Sequence, residues 1–200
     1  MRKPTDLRQH VLTASLALIE EGGLDRLSMR EVARKAGVSH QAPYHYFGDR
    51  EAILAALAGA GFEKLGRALV RAAAGAGEPG KAVEAMGRAY VDFAIREPAY
   101  FQVMFRADAV PLDRYPEARR LEDEAFGCLV EGIDKAFADE PADMRRTIAI
   151  AAWAMVHGLA TLILEGSLAR KVGVSKARQK QLADEVIGAF LGLLKRKARG

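Results

Sequence analysis

The chain has 200 residues, of which half are hydrophobic and 28% are charged, and its formal net charge is +4. That length fits one domain of ordinary size or two small ones, and the apolar share is enough for a sizeable core. The modest positive charge permits nucleic-acid binding but does not require it. Cys128 is the only cysteine, which excludes an intramolecular disulfide and a zinc site built from cysteines.

The composition favours an all-α fold, because Ala, Leu, Glu, Arg and Lys dominate and runs of β-branched residues are scarce. The first helix is predicted over 5–21, where apolar residues recur at helical spacing before Gly22 and Gly23. The first ten residues carry charge but are not followed by the apolar segment of a secretory signal, so we expect a cytoplasmic protein.

The segment 28–54 predicts two short helices joined by a tight turn, followed by the start of a third helix. Ser28 and Glu31 fit a capping box. In this motif the Ser28 hydroxyl accepts a hydrogen bond from the N–H of residue 31, and the Glu31 carboxylate accepts one from the N–H of residue 28. Gly37 stands where a helix end needs a left-handed residue.

The second of these helices is expected to begin at Ser39, whose hydroxyl can cap it. Pro43 is tolerated because it falls in the first turn, where most N–H groups lack helical partners. An aromatic run over 44–47 ends at Gly48, and Asp49 is expected to cap the next helix. The arrangement is a helix-turn-helix, a motif that places its second helix in the major groove of DNA.

The rest of the chain predicts further helices, with a loop at 108–116. The most apolar stretch, 148–164, is about 17 residues long, which is the lower limit for crossing a membrane. It also contains His157 and Gly158, so a buried helix is favoured and no membrane partner is expected. The predicted helices cover 50–73, 81–96, 99–107, 117–138 and 141–165, a last helix begins within 173–175, and the basic tail 195–200 is expected to fray.

The clearest break is AGAGEPG at 74–80, which carries the G-x-G-x-x-G spacing of a dinucleotide-binding loop. A predicted helix rather than a strand precedes it and Pro79 interrupts it, so a helix-to-helix linker is favoured and no cofactor is expected. The break predicts an N-terminal domain over 1–50, with a linking helix over 50–73, and a C-terminal domain over 81–200.

The N-terminal pattern resembles the TetR family of transcriptional regulators, whose signature runs from a capped helix through V-S-x-x-x-x-Y-x-[HY]-F to a basic residue. Arg50 stands where the basic residue is more commonly Lys, and Pro43 stands where many members have a larger apolar residue. Trp153, His157 and Gly158 resemble the Trp-His-Gly feature of one C-terminal subclass. The residues that match the signature are Val38, Ser39, Tyr44, Tyr46, Phe47 and Arg50.

The helix-turn-helix predicts contacts with double-stranded DNA. Gln can bond adenine at two points and Ala can touch a thymine methyl, so the tip of the second helix is expected to read base edges. Other polar side chains on the same face are expected to bond phosphates, although each one alone could be a solvated surface residue. The base-edge candidates are His40, Gln41 and Ala42, and the phosphate candidates are Ser28, Arg30, Ser39, Tyr44, His45 and Arg50.

Aromatic rings and thioethers are frequent in the middle helices, a mixture that suits an apolar pocket with a few polar groups. Each of these residues could instead belong to an ordinary core. Trp153 and His157 lie one helical turn apart and so share a face. The candidates for binding a small apolar or amphipathic effector are Tyr90, Phe93, Phe101, Met104, Phe105, Phe126, Trp153, Met155 and His157.

A single helix-turn-helix contacts only a short half-site of DNA, so a homodimer on an inverted-repeat operator is expected. The helix over 141–165 is apolar nearly all round, which predicts that it and the last helix form the dimer interface, as the resemblance also implies. The alternative is that this helix is simply central to the body. The resemblance further implies a repressor that an effector releases from DNA by favouring another spacing of the two heads.

Three alternatives stay open at this point. An enzyme is disfavoured because none of the four histidines forms H-E-x-x-H and Cys128 has no sequence signature of a nucleophile. A ligand-independent DNA-binding or architectural protein would keep the DNA contacts and lack the effector. Activation in place of repression would depend on the position of the operator.

Overall fold

The structure is a computed structural model that describes residues 4–106 and 108–197. It confirms the all-α fold, since these residues form ten α-helices and no strand. Short 3₁₀ turns lie at Leu24–Arg26 and Leu112–Arg114. The helices are α1 (Pro4–Gly22), α2 (Met29–Ala36), α3 (Ala42–Phe47), α4 (Arg50–Ala74), α5 (Pro79–Arg96), α6 (Pro98–Met104), α7 (Pro116–Ala136), α8 (Ala142–Leu164), α9 (Ser167–Val172) and α10 (Lys176–Lys197).

Several helix boundaries differ from the sequence-based expectation. Helix α5 begins at Pro79, inside the predicted linker, because proline suits the first turn of a helix. Helix α9 was not predicted; Gly166 and Gly173 flank it in the left-handed conformation and isolate six residues as a helix. Helix α6 ends at Met104, and the predicted end at 107 lies outside the described residues. Helix α10 continues into the predicted frayed tail as far as residue 197, and 198–200 also lie outside.

The first of two compact units comprises Met1–Glu63 and Glu97–Glu122. Two glycines of α4 allow other helices of this unit to approach closely. A Cβ atom built on Gly61 would lie 2.5 Å from the sulfur of Met104 in α6, and one built on Gly59 would lie 3.4 Å from the Cα of Ala118 in α7. Since Met104 and Ala118 are both buried, α6 and the start of α7 belong to the core of this unit.

The second compact unit comprises Lys64–Arg96 and Asp123–Gly200. Helix α5 packs here against α8 and α10: a Cβ atom on Gly87 would lie 3.4 Å from Val156 and 3.2 Å from Ile187. Lys180 of α10 also pairs with Asp92 of α5 at 2.8 Å. Helix α5 therefore packs against one face of α8 and is also held to α10.

The chain passes between the two units three times, within α4, between α5 and α6, and within α7, and not at the predicted break over 74–80. The sequence-based boundary placed 97–122 in the C-terminal domain, whereas these residues pack with the first unit. Glycine and proline mark loops in a sequence, but contacts such as that of Gly61 with Met104 join distant segments and leave no local pattern.

Candidate nucleic-acid interface

Ser28 forms the N-cap of α2, as predicted. Its backbone is extended, with φ −130° and ψ 152°, and its hydroxyl accepts a hydrogen bond from the Glu31 N–H at 3.2 Å. The return bond of the predicted capping box is not formed, because the Glu31 carboxylate instead accepts from Arg34 at 2.6 and 3.0 Å. That hydrogen bond lowers the pKa of Glu31. Half of the capping box is therefore present, and it fixes the start of α2.

The turn after α2 has the geometry that the sequence predicted. Gly37 is left-handed, with φ 64° and ψ 35°, and its N–H donates to Arg34 O at 3.3 Å. The Val38 N–H donates to Ala33 O at 3.1 Å. These two bonds form a Schellman motif, which satisfies the last carbonyls of α2 and fixes the direction of the chain toward α3.

Helix α3 begins later than expected, at Ala42, and the expectation that Ser39 caps it is wrong. Its N-cap is Gln41, which makes no side-chain capping bond. Pro43 has no N–H to donate to the Ser39 carbonyl, and that carbonyl accepts from the Ala42 N–H at 3.0 Å instead. Residues 39–41 therefore form a turn, and the α-helical pattern starts when the His45 N–H reaches the Gln41 carbonyl at 2.9 Å.

Five side chains project into solvent from the turn and from α3, and we call them the reading surface. Tyr44 is 49% exposed, and its ring stacks on that of His40 with centroids 6.3 Å apart. Ala42 is half-buried, whereas Ser28 and Arg30 are exposed at the start of α2. The reading surface comprises Ser39, His40, Gln41, Tyr44 and His45.

The opposite side of α3 packs into the first unit. Pro43 is buried, and the Phe47 ring lies 4.9 Å from the guanidinium carbon of Arg8 on α1. This cation–π contact was missed by the sequence analysis, since an arginine on an amphipathic helix gives no signal of its partner. It ties the end of α3 to α1.

The N-terminus of α4 differs in part from expectation. Asp49 caps it as predicted, since its carboxylate accepts from the Ala52 N–H at 2.8 Å. Arg50, expected on a phosphate, is half-buried and turned inward. Its guanidinium donates to Leu27 O and to Leu24 O, both at 2.8 Å. The structure therefore gives Arg50 an internal role that the local sequence did not reveal.

The predicted effector-binding residues fall into two groups in different units. Phe101, Met104 and Phe105 belong to the first unit, where the Phe105 ring lies 5.0 Å from that of Phe101 and 5.7 Å from that of Phe62. The others, Tyr90, Phe93, Phe126, Trp153, Met155 and His157, belong to the second unit.

Tyr90 and His157 form the polar centre of the second group. The Tyr90 hydroxyl oxygen lies 2.9 Å from Nδ1 of His157. Burial raises the pKa of Tyr90 and lowers the pKa of His157. Both groups are therefore kept neutral near pH 7. Phe93, three residues after Tyr90, is buried, and Met155, two residues before His157, is half-buried.

Trp153 and Phe126 form an aromatic pair that is open to solvent on this chain. Their ring centroids are 5.6 Å apart in an edge-to-face arrangement, and each residue is 38% exposed. The Trp153 ring also lies 6.1 Å from that of His157. An exposed tryptophan beside a tyrosine–histidine pair can bind an apolar group and offer it polar contacts.

Helix α8 exposes a broad apolar face. Its length and mean hydropathy of 1.9 would allow it to cross a membrane, but a helix in a protein core passes the same test. Helix α10 has a second apolar stripe, with residues spaced by three and four. The outward-facing apolar residues include Ile150, Trp153, Ala154 and Leu162 on α8, and Val186, Ala189 and Leu193 on α10.

Two family profiles match the chain. Residues 11–57 match the profile described as bacterial regulatory proteins of the tetR family. Residues 83–190 match the profile described as the tetracyclin repressor-like C-terminal domain. The first match covers the helix-turn-helix and the second covers α8 and most of α10; the Trp-His-Gly subclass stays a prediction.

Curated relatives agree with these profiles. The transcriptional regulator BetI of Rhizobium meliloti is 32% identical over 169 residues, which are 76% of this chain and 75% of BetI. The transcriptional repressor KstR of Mycolicibacterium smegmatis is 29% identical over 123 residues. The chain spans 60% of the length of KstR.

Solved structures show the same architecture. A protein of unknown function from Rhodococcus sp. RHA1 is 33% identical with a TM-score of 0.78, covering 96% of this chain and 94% of that one. PfmR, a TetR family regulator from Thermus thermophilus, shares the fold at 19% identity and a TM-score of 0.66, covering 90% and 96%. With the helix-turn-helix geometry, these matches show that the chain belongs to the TetR family of DNA-binding transcriptional regulators, which are not enzymes.

Proposed function

We propose that the protein is a cytoplasmic repressor that binds an inverted-repeat operator as a homodimer and is released by a small apolar or amphipathic effector. The observation that carries the proposal is the reading surface, which presents polar side chains from a backbone held by the Ser28 cap and the Gly37 turn. Such a surface can enter the major groove without rearranging.

The side chains nearest the tip of α3 are proposed to read bases, and those around them to bond phosphates. Gln41 precedes the helix and is exposed, so its amide can reach an adenine edge. Tyr44 and Arg30 are exposed further from the tip, where a hydroxyl or a guanidinium meets phosphate oxygens. The proposed base-edge residues are His40, Gln41 and Ala42, and the proposed phosphate residues are Ser28, Arg30, Ser39, Tyr44 and His45.

The dimer interface is proposed to consist of α8 and α10. Regulators of the TetR family act as dimers. Ile150 on α8 is 51% exposed and Leu193 on α10 is 59% exposed, and each lies on an apolar stripe. Covering such faces with a second copy removes apolar area from water, which contributes about 25 cal/mol per Å² against the entropy cost of association. Two helices from each subunit would then form a four-helix interface.

The effector is proposed to bind in the second unit, against Trp153 and Phe126, with Tyr90 and His157 as its polar partners. Regulators of this family often respond to ligands. Some dimers would have their two reading surfaces at a spacing that does not fit the operator. An effector that binds better to such a dimer shifts the population toward that state. A hundredfold loss of DNA affinity requires a preference of about 2.8 kcal/mol, taking 1.4 kcal/mol per tenfold.

The release step can be tested with a DNA duplex selected from random sequence by the wild-type protein. Apolar and amphipathic compounds are first screened for quenching of Trp153, the only tryptophan, and those that bind are titrated into the protein–DNA complex. We expect at least one of them to release the DNA, and W153F to bind the duplex as wild type does but no longer to release it when that compound is added. Compounds that bind the second unit without releasing the duplex would favour the ligand-independent alternative. The hydrogen bond between Tyr90 and His157 also fits that alternative, because these two groups satisfy each other without an effector.

A further inference from the structure

We propose that Arg50 is a positioning residue that holds the DNA-contacting end of α2, and that it does not itself contact a phosphate. The inference rests on the proposed DNA binding. Its first support is the direction of the side chain. The guanidinium Nε donates to Leu27 O and Nη2 donates to Leu24 O, each at 2.8 Å, across more than twenty residues of sequence.

The two acceptor carbonyls belong to the turn that leads directly into α2. The Leu27 N–H itself donates to Leu24 O at 3.1 Å, and both leucine side chains are buried, so this turn is anchored on its inner side. Ser28 follows Leu27 at once, and Arg30 lies in the first turn of α2. The position of both proposed phosphate residues therefore depends on the turn that Arg50 holds.

Arginine suits this role because its planar guanidinium presents N–H groups in a fixed fork. A charged donor also makes a stronger hydrogen bond to a carbonyl than a neutral donor does. Lysine would keep the positive charge but would offer one ammonium in place of the fork. It could not satisfy both carbonyls with the same geometry.

The charges at the N-terminus of α4 also disfavour a phosphate there. A free helix N-terminus attracts anions through its unpaired N–H groups. Here the Asp49 carboxylate already accepts from the Ala52 N–H at 2.8 Å, and the Glu51 carboxylate is paired with Arg114 at 3.3 Å. Arg30, on α2, has an exposed side chain, whereas that of Arg50 is half-buried.

Three variants separate positioning from phosphate contact: R50K, R50Q and R30Q. Their affinity for a duplex selected with wild-type protein is measured at several salt concentrations. A positioning role predicts that R50K, which keeps the charge, loses about tenfold or more in affinity and resembles R50Q. R30Q serves as the comparison, because the loss of one phosphate contact reduces the slope of log K against log[salt] by about 0.9.

Hydrogen exchange on the DNA-free protein supplies a readout that a phosphate contact would not change. We expect R50K to speed the exchange of the Val32 N–H, whose partner is the Ser28 carbonyl at 2.9 Å, with no change in α5. Wild-type affinity and exchange in R50K, together with a slope about 0.9 shallower in R50Q, would overturn the inference. Failure of the wild-type protein to bind any duplex would refute the proposed function instead, and the exchange experiment would still decide the role of Arg50.

Discussion

Residues that fix the backbone of the helix-turn-helix and residues proposed to contact DNA are largely different sets, with Ser28 belonging to both. Ser28, Gly37 and Asp49 satisfy backbone groups or adopt a required conformation, whereas Gln41 and Tyr44 are proposed to contact DNA. Substitutions in the first set are expected to change stability. Those in the second set are expected to change DNA binding with little effect on folding.

Gln41→Ala and Tyr44→Phe are predicted to affect DNA in different ways. Loss of a two-point contact with adenine removes about 1–3 kcal/mol of discrimination at one base pair. Loss of a hydroxyl bond to a charged phosphate costs about 1.5–3 kcal/mol on every sequence. Binding to a panel of operators with single base changes distinguishes them, and equal affinity of Gln41→Ala and wild type for every operator would refute the base contact.

His157 is predicted to make stability fall on acidification. Its pKa in the folded state is lowered by burial from the usual 6.5, so below that pH the unfolded chain binds more protons than the folded one. The free energy of unfolding should therefore decrease as pH falls through about 6.5, and His157→Gln should remove this part of the slope.

Tyr90→Phe is the matched control for the histidine, because it removes the hydroxyl at Nδ1 and keeps the burial that lowers the pKa of His157. We expect the acid-dependent loss of stability to persist in Tyr90→Phe. Urea unfolding at constant protein concentration between about pH 8 and pH 5 measures both variants. An unchanged slope in His157→Gln would contradict the assignment.

Sequence patterns predicted those residues whose partners are near in the chain. The Ser28 cap and the Gly37 turn each depend on residues within about one helical turn, a range that short motifs describe. The predicted Ser39 cap was wrong because Pro43 has no N–H to donate to the Ser39 carbonyl. Helix α3 therefore begins later, at Ala42. The partners of Arg50 lie 23 and 26 residues away, and no local pattern encodes them.

Helix α4 depends on small residues where other helices cross it. Gly61→Ala is predicted to be destabilising by about 1 kcal/mol. Alanine favours the helix by about 1 kcal/mol, but its Cβ would lie 2.5 Å from the sulfur of Met104, which is only 3% exposed and has little room to move. Overpacking of a core costs about 1–3 kcal/mol.

Gly66→Ala, on the same helix, is the control for this steric argument. Its added methyl would meet Ala125 at 3.8 Å, an ordinary contact, so we expect stabilisation by up to about 1 kcal/mol. In a Met104→Ala background, Gly61→Ala should also become stabilising. Urea unfolding of these variants and their parents gives the comparison, and destabilisation by Gly61→Ala in the Met104→Ala background would show that the clash is not the cause.

At the scale of the whole molecule, the apolar faces of α8 and α10 are predicted to hold two copies together. Leu193→Lys should shift the protein toward monomer, because an unpaired ammonium would be buried in the interface. Val172→Lys on α9 is the matched control, since Val172 and Leu193 are both 59% exposed and only Leu193 lies on the proposed interface. Sedimentation over a range of concentrations measures the shift; equal dimerisation of both variants would contradict the interface.

The all-α architecture and the helix-turn-helix followed from composition and local motifs, whereas the division into units did not. Glycines and prolines at 74–80 indicated a break in the chain, but residues 97–122 pack with the N-terminal segment through buried contacts such as that of Ala118 with Gly59. Likewise, the aromatic residues chosen as one effector site from their type alone belong to two units. Hydrophobic periodicity shows which face is buried but not against which helix.

Two copies of the reading surface are proposed to bind successive turns of DNA as a twofold pair. Selection of bound duplexes from random sequence by the purified full-length chain tests it most directly. We expect recovery of an inverted repeat whose half-sites are centred one helical turn, about 10–10.5 base pairs, or a multiple of it apart. Recovery of a single unrepeated site, or no enrichment at low salt, would contradict it.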